Sequence, residues 1–316
     1  MRSAVLYGPH DFRIEEFPAP VYSETECLIK VRACGVCHSE QHQWLHKIPG
    51  LEYPRRIGHE VSGEIISVGS KVKNFVIGDR VAVWIDSNGY SEEIVAGEDR
   101  LFKISSNISF EEALAEPIGC TTNGILRTNL KPGDAVALVG TGFMGLILLQ
   151  QIKLQGASLI VAIDIRDDML SIASELGADV VINPLKENVV ESINRLTSNK
   201  KIDVSFEVSG NQSTLNLAAD ICRMEGKLVI FGYHPGERKI NDLGYWNWMA
   251  FDIINAHFRN IKTILKGSEL GIKLLNAGKI NMKRLVTHKF PLDRIEDAFS
   301  AAHNKPIGFV KSVIIM

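Results

Sequence analysis

Two short, glycine-flanked segments near the N-terminus hold the side chains of a metal site. Cys37-His38-Ser39-Glu40-Gln41-His42 supplies a thiol, and Gly58-His59-Glu60 adds an imidazole and a carboxylate. Thiolate, imidazole and carboxylate are ligands that Zn²⁺ takes in a tetrahedral site. Further on, Val136-Ala137-Leu138-Val139-Gly140-Thr141-Gly142-Phe143-Met144-Gly145 reads as a strand that turns through G-x-G-x-x-G into a helix. A metal site and a dinucleotide site in one chain suggest metal-assisted hydride transfer.

The glycine motif gains its meaning from context. An apolar strand precedes it and an apolar helix follows. Gly140 and Gly142 permit a tight turn and close approach of backbone to a pyrophosphate, and Gly145 lets helix and strand pack closely. The free N–H groups of the helix N-terminus face the phosphates. Asp164 ends the next strand, where a carboxylate accepts hydrogen bonds from ribose hydroxyls and repels a 2′-phosphate. That favours NAD over NADP, a preference that nearby Arg166 would soften. The competing reading, glycines in a plain turn and Asp164 as a helix cap, leaves the coincidence of strand, glycines, helix and acid unexplained.

The elements that must position these groups change character along the chain. Residues 1–122 are rich in strand signals: Ala4-Val5-Leu6, Glu26–Arg32, Glu60–Gly69 and Gly78–Val83 run or alternate apolar between glycine and proline breaks. Residues 123–260 alternate strands with helices, the mark of βαβ units and a parallel sheet. Strands are expected at Ala135–Val139, Leu159–Asp164, Val180–Ile182, Val204–Glu207 and Lys227–Phe231, with a sixth in Asp252–His257. Helical periodicity marks Leu146–Gln155, Asp168–Leu176 and Ser213–Cys222. Residues 261–316, with a helix at Ser268–Ala277 and two short strands, are expected to return to the first domain. The fold class is therefore α/β: a β-rich domain (1–122 plus 261–316) and a Rossmann doubly wound parallel sheet (123–260).

Bulk properties narrow the function. The 316 residues point to about two domains. A formal net charge of -2 gives no electrostatic footprint for nucleic acid or an anionic membrane. No apolar run reaches the roughly 18–20 residues that span a bilayer, and the first residues lack the apolar segment of a signal peptide. Five cysteines, an odd number at irregular spacing, argue against a disulfide framework and for a reducing cytoplasm.

Gly35-Val36-Cys37-His38-Ser39 with His42, Gly58-His59-Glu60 with Gly63, Val68-Gly69 and Gly78-Asp79-Arg80-Val81 together resemble the zinc-dependent medium-chain alcohol and polyol dehydrogenases. The resemblance extends to Gly308-Phe309-Val310-Lys311. It implies a GroES-like catalytic domain around the Rossmann domain, one catalytic Zn²⁺ per subunit, and NAD. Cys37 and His59 match zinc ligands. Glu60 matches an acid that sits on the metal or beside it. Glu116 matches a position where many relatives have a cysteine ligand, and Glu116-Pro117 is more typical of the sorbitol-like branch. Cys120 is an alternative ligand or a packing residue near the cofactor. Cys34 forms a C-x-x-C with Cys37, but zinc ligation at Cys37 competes with a redox disulfide. Ser39 matches the hydroxyl that touches the substrate oxygen, and His42 its proton relay to solvent. No cysteine occurs between residues 38 and 119, so the structural-zinc loop of many relatives is absent. Trp246–Arg259 falls where relatives line the substrate cleft and the subunit contact; its polar groups suit a hydroxyl-rich substrate, and Trp246 and Trp248 equally suit an oligomer interface.

These features imply hydride transfer between a secondary alcohol (polyol, cyclitol or sugar-like) and NAD. The alternatives are a simple alcohol or aldehyde dehydrogenase, a zinc-free quinone reductase and a non-catalytic nucleotide-binding protein. The expected partners are a small-molecule alcohol and further copies of the chain, as a dimer or tetramer, with no nucleic acid and no membrane.

Overall fold

Cys27, Ile29, Val31 and Ala33 are buried while Leu28, Lys30 and Arg32 between them are more exposed. That period of two makes Glu26–Gly35 a strand with one face in a core. Residues 1–316 are described by a computed structural model, in which the chain divides into Met1–Gly119 with Ile261–Met316 and Cys120–Asn260.

In the first unit β1 (Arg2–Gly8) and β2 (Asp11–Glu16) form a hairpin, followed by β3 (Glu26–Gly35) and α1 (His38–Leu45). Then come β4 (Glu60–Val68), β5 (Arg80–Trp84), β6 (Glu93–Gly97), β7 (Leu101–Lys103) and α2 (Ala115–Thr128), whose residues from Cys120 on belong to the second unit.

The second unit continues with β8 (Ala135–Val139), α3 (Phe143–Leu154), β9 (Leu159–Ile163), α4 (Asp167–Leu176), β10 (Val180–Ile182), α5 (Val189–Leu196) and β11 (Ile202–Glu207). It closes with α6 (Gln212–Ile221), β12 (Cys222–Ile230), α7 (Leu243–Trp248) and β13 (Asp252–Asn255). Its six strands are parallel, in the order β10-β9-β8-β11-β12-β13. The order in which strands are added reverses between β8 and β11, the switch point at which such sheets bind ligands beyond their C-terminal ends. Residues 136–139 of β8 are all buried, as expected of a strand covered on both faces.

The tail, α8 (Ile261–Asn276), β14 (Val286–Pro291), α9 (Ile295–Asn304) and β15 (Lys311–Ile315), belongs to the first unit. There β14 and β15 join β3, β4, β5 and β7 in a seven-stranded sheet whose remaining member, β6, pairs with β3. β15 runs antiparallel to β3, placing Val313 opposite Gly35. Phe299 of α9 fixes the tail in the core. Its ring centroid lies 4.9 Å from Phe12, 5.7 Å from Trp44 and 5.8 Å from Tyr90.

Helices α1, α5, α7 and α9 are among the elements that the apolar periodicity does not single out, although α4 and α6, of ten residues each, are read from it. Phe299→Ala should destabilise the first unit by about 3–5 kcal/mol, because it removes a fully buried aromatic ring. Urea unfolding followed by Trp fluorescence measures this, and an unchanged midpoint would show that the ring cluster does not hold the tail.

Candidate metal centre and dinucleotide site

β3 ends at Gly35, and Cys37 follows as the N-cap of α1. His59 immediately precedes β4, whose first residue is Glu60. β3 and β4 are paired, with Gly35 opposite Glu60. This pairing gathers the Cys37 sulfur, a His59 ring nitrogen and a Glu60 carboxylate oxygen, all within 4.8 Å of one another.

The imidazole is held by Glu40, which is 2% exposed. Its Oε1 lies 2.8 Å from His59 Nδ1 and accepts the Gly58 N–H at 2.7 Å. Its Oε2 accepts the Tyr90 hydroxyl at 2.6 Å and the Cys37 N–H at 3.4 Å. Burial opposes ionisation, but His59, Tyr90 and the Gly58 N–H outweigh it and hold the Glu40 carboxyl below its ordinary value. With Nδ1–H given to Glu40, Nε2 is the ring nitrogen left to bind a metal.

Glu60 has a different partner. Lys311 of β15, 5% exposed, places its Nζ 2.6 Å from Glu60 Oε2 and donates to Oε1 and the Val36 carbonyl, both at 2.8 Å. Burial alone would push the Lys311 pKa down; Glu60 and Cys37 outweigh it and raise the pKa. Glu116 lies outside the three-residue group, yet its carboxyl senses it. Desolvation raises its pKa, His59 pulls it down and Glu60 adds to the rise.

Ser39 Oγ donates to Cys37 Sγ at 3.3 Å. His42 sits one turn on, its ring edge-to-face with His46 at 5.0 Å between centroids. Cys34 is fully buried, and burial pushes its thiol well above the ordinary value, so it is a poor nucleophile. All five cysteines are free thiols.

In the second unit Gly142 is the N-cap of α3. A Cβ there would meet nothing within 4 Å, which leaves open space before the first N–H groups of the helix. A Cβ on Gly145 would lie 2.3 Å from the Gly140 carbonyl, so only glycine allows this helix to start so close to its strand. Asp164 follows β9. Its Oδ2 accepts from Thr141 N at 2.8 Å and Thr141 Oγ1 at 3.2 Å, and its Oδ1 from Arg166 N at 3.0 Å. The Arg166 guanidinium pairs with Asp168 at 2.5 Å. Trp246 is in the core at 7% exposure, and Trp248 is 77% exposed.

Glu40 and Lys311 are the site residues that the sequence reading does not single out. Glu40 lies inside the Cys37–His42 motif, but nothing in its spacing reveals that it is buried. The signal for Lys311 was available: a lone cation in the apolar run Phe309–Met316 requires a buried counter-charge.

A thiolate, a tautomer-fixed imidazole and a carboxylate in one small group form a zinc-type donor set, and a doubly wound sheet with an open glycine turn forms a dinucleotide fold. This is the class of a zinc dehydrogenase. Residues 23–128 match the alcohol dehydrogenase GroES-like domain and residues 144–266 the zinc-binding dehydrogenase domain. The sorbitol dehydrogenase of Bacillus subtilis (strain 168) is 32% identical, over 96% of this chain and 93% of its own. The (R,R)-butanediol dehydrogenase of the same organism is 30% identical, over 95% and 96%. The structure of 2R,3R-butanediol dehydrogenase from Bacillus subtilis superposes with a TM-score of 0.86 at 28% identity, covering 100% of this chain and 99% of that one. An Escherichia coli oxidoreductase of unknown specificity gives 0.89 at 26% identity, covering 99% and 98%. The chain belongs to the zinc-dependent medium-chain dehydrogenases. Zinc and a nicotinamide dinucleotide are the cofactors of this enzyme class, and the donor set and the open glycine turn fit them.

Glu40→Ala would leave the Gly58 N–H, the Tyr90 hydroxyl and His59 Nδ1 without their acceptor. Zinc affinity should fall about 10–100-fold, measured by chelator competition with metal analysis. Undiminished retention would show that the imidazole needs no such support.

Proposed function

We propose that this enzyme is an NAD-dependent, single-zinc dehydrogenase that reversibly oxidises a secondary alcohol in a polyol, cyclitol or sugar-like compound to the ketone. The observation that carries the reading is the Cys37–His59–Glu60 group, with Glu116-Pro117 following in α2. The named activities of the sorbitol and butanediol dehydrogenases above support a vicinal-diol or polyol substrate.

When bound, zinc draws electron density from the alcohol oxygen and the dinucleotide accepts the hydride. The chain's own groups do the rest. Cys37 and His59 hold the ion, with Glu60 and Glu116 as the carboxylates on or beside it. Glu40 fixes the His59 ring. Ser39 takes the proton of the substrate hydroxyl as it gives up its own, and His42 passes that proton on to solvent. Gly140, Gly142 and Gly145 let the pyrophosphate approach α3, and Asp164 reads the adenosine ribose. The Arg166 guanidinium is committed to Asp168, which supports NAD over NADP because that cation is not offered to a 2′-phosphate. On the same reading the enzyme is a cytoplasmic homo-oligomer, a dimer or tetramer. The five free thiols suit that reducing compartment. No helix is long and apolar enough to cross a membrane.

A panel of polyols, cyclitols, diols and simple alcohols, assayed by NAD reduction, tests the substrate class; turnover confined to simple primary alcohols would reject it. Cys37→Ser should abolish turnover while NADH binding persists, and stripping zinc from the parent should do the same until zinc is restored. Full activity in the stripped enzyme would defeat the metal role. Asp164→Ala should weaken NAD binding about tenfold or more, the scale of losing charged hydrogen bonds. Equal NAD and NADP affinities in the parent would defeat the ribose assignment.

A further inference from the structure

Glu207 ends β11 in the middle of the parallel sheet and is fully buried. Its Oε1 accepts from Gly210 N and Thr214 Oγ1 at 2.8 Å, Ser209 N at 2.9 Å and Ser209 Oγ at 3.1 Å. Oε2 faces His234, in the segment after β12, with Nε2 at 2.7 Å. The contact is close but out of line. Glu207 Oε2, His234 Nε2 and His234 Nδ1 are all buried, and none of them makes a hydrogen bond. Buried polar atoms are rarely left so, and three at one point require a reason.

Their position supplies one. The segment after β12 touches the turn after β11: a Cβ on Gly232 would stand 2.5 Å from Glu207 Oε2 and 2.5 Å from Gly210 N. The turn after β11 touches the glycine turn after β8, where a Cβ on Gly140 would come within 3.0 Å of Ser209 N. The three turns lie beyond the C-terminal ends of neighbouring strands on either side of the switch point, where a dinucleotide binds. The His234 imidazole, against Glu207, therefore packs behind the turns that border that site.

We propose that His234 is a positioning residue for the bound dinucleotide: its imidazole pairs in line with Glu207 when the cofactor is seated, and so fixes the segment after β12 against the two turns that hold the cofactor. Nε2 then carries the proton given to Oε2, and Nδ1 is left as an acceptor for a hydroxyl or amide N–H. No residue of the metal centre takes part. The inference rests on the reading of this unit as the dinucleotide domain.

The test compares the zinc-loaded parent with His234→Leu and His234→Gln, whose side-chain amide offers an N–H in place of the ring's. NADH affinity is read by fluorescence titration, and the histidine side-chain ¹⁵N spectrum is recorded with and without NADH. His234→Leu should bind NADH about tenfold more weakly, with unchanged zinc content, and His234→Gln should recover to within about threefold. One imidazole resonance, absent from both variants, should shift when NADH is added to the parent. Equal affinity in His234→Leu, or a resonance that NADH leaves unmoved, would overturn the inference. If His234→Leu does not fold, His234→Gln and the resonance still decide: a Gln variant tenfold weaker with no moving resonance overturns it. A parent that binds neither NADH nor NADPH overturns the dinucleotide reading itself, an outcome visible before any variant is made.

Discussion

A carboxylate removed from water must be surrounded by donors or it will not stay charged. Glu40 meets that condition with four donors from three segments: Gly58 N, His59 Nδ1, Tyr90 Oη and Cys37 N. Each donor belongs to a segment that the metal centre needs. Gly58 and His59 lead into β4, Cys37 opens α1, and Tyr90 lies in the connection between β5 and β6. One buried charge thus dictates where both the thiol and the imidazole stand. Removing any one donor leaves the charge short of a partner, while removing the charge releases all of them. The centre is therefore a property of the fold around Glu40 as much as of its ligands.

The second constraint comes from the far end of the chain. Without Lys311, Glu60 would be a second buried carboxylate, beside Glu40, with no cation to balance it. The ammonium that balances it arrives on β15, 251 residues later in sequence. That strand is fixed by its antiparallel pairing with β3, and the preceding α9 by Phe299. Tail docking and charge balance are thus one event: β3 provides both the edge that receives β15 and the route into Cys37. A cation also limits how much anionic charge the ligand set presents to a divalent ion. Lys311 donates to Glu60 Oε1 and lies 2.6 Å from Oε2, which itself accepts no hydrogen bond, so the carboxylate approaches an ion with the ammonium beside it.

Much of this was legible in the sequence because function demanded rare residue types at fixed spacing. The G-x-G-x-x-G turn could be read because glycine is needed there, plainly at Gly145, where a Cβ would lie only 2.3 Å from the Gly140 carbonyl. The central strands β8 and β9 could be read because burial on both faces makes them continuously apolar. Cys37, His59 and Glu60 could be read as a group only because they flank glycines in a recognisable order; nothing in their spacing fixes how far Glu116 stands from them. The partners of Glu40 and Lys311 were hidden for a deeper reason. The roles of these two residues depend on a partner distant in sequence, and a single charged residue carries no mark of which distant charge it will meet.

The two units use the same device to different ends. In each, a buried glutamate faces a histidine: Glu40 with His59 and Glu207 with His234, at 2.8 Å and 2.7 Å. In the first pair the glutamate is saturated, the ring is fixed in one tautomer, and its free nitrogen stands among metal ligands. That arrangement is complete before any ligand arrives, as a metal site must be if it is to choose its ion by geometry. In the second pair one carboxylate oxygen is saturated and the other is not, and both ring nitrogens lack a hydrogen bond. An unfinished pair costs stability in the free protein, and binding can return that cost when it brings the groups into line. A resident metal calls for the first kind of site, and a dinucleotide that must enter and leave at every turnover is better served by the second.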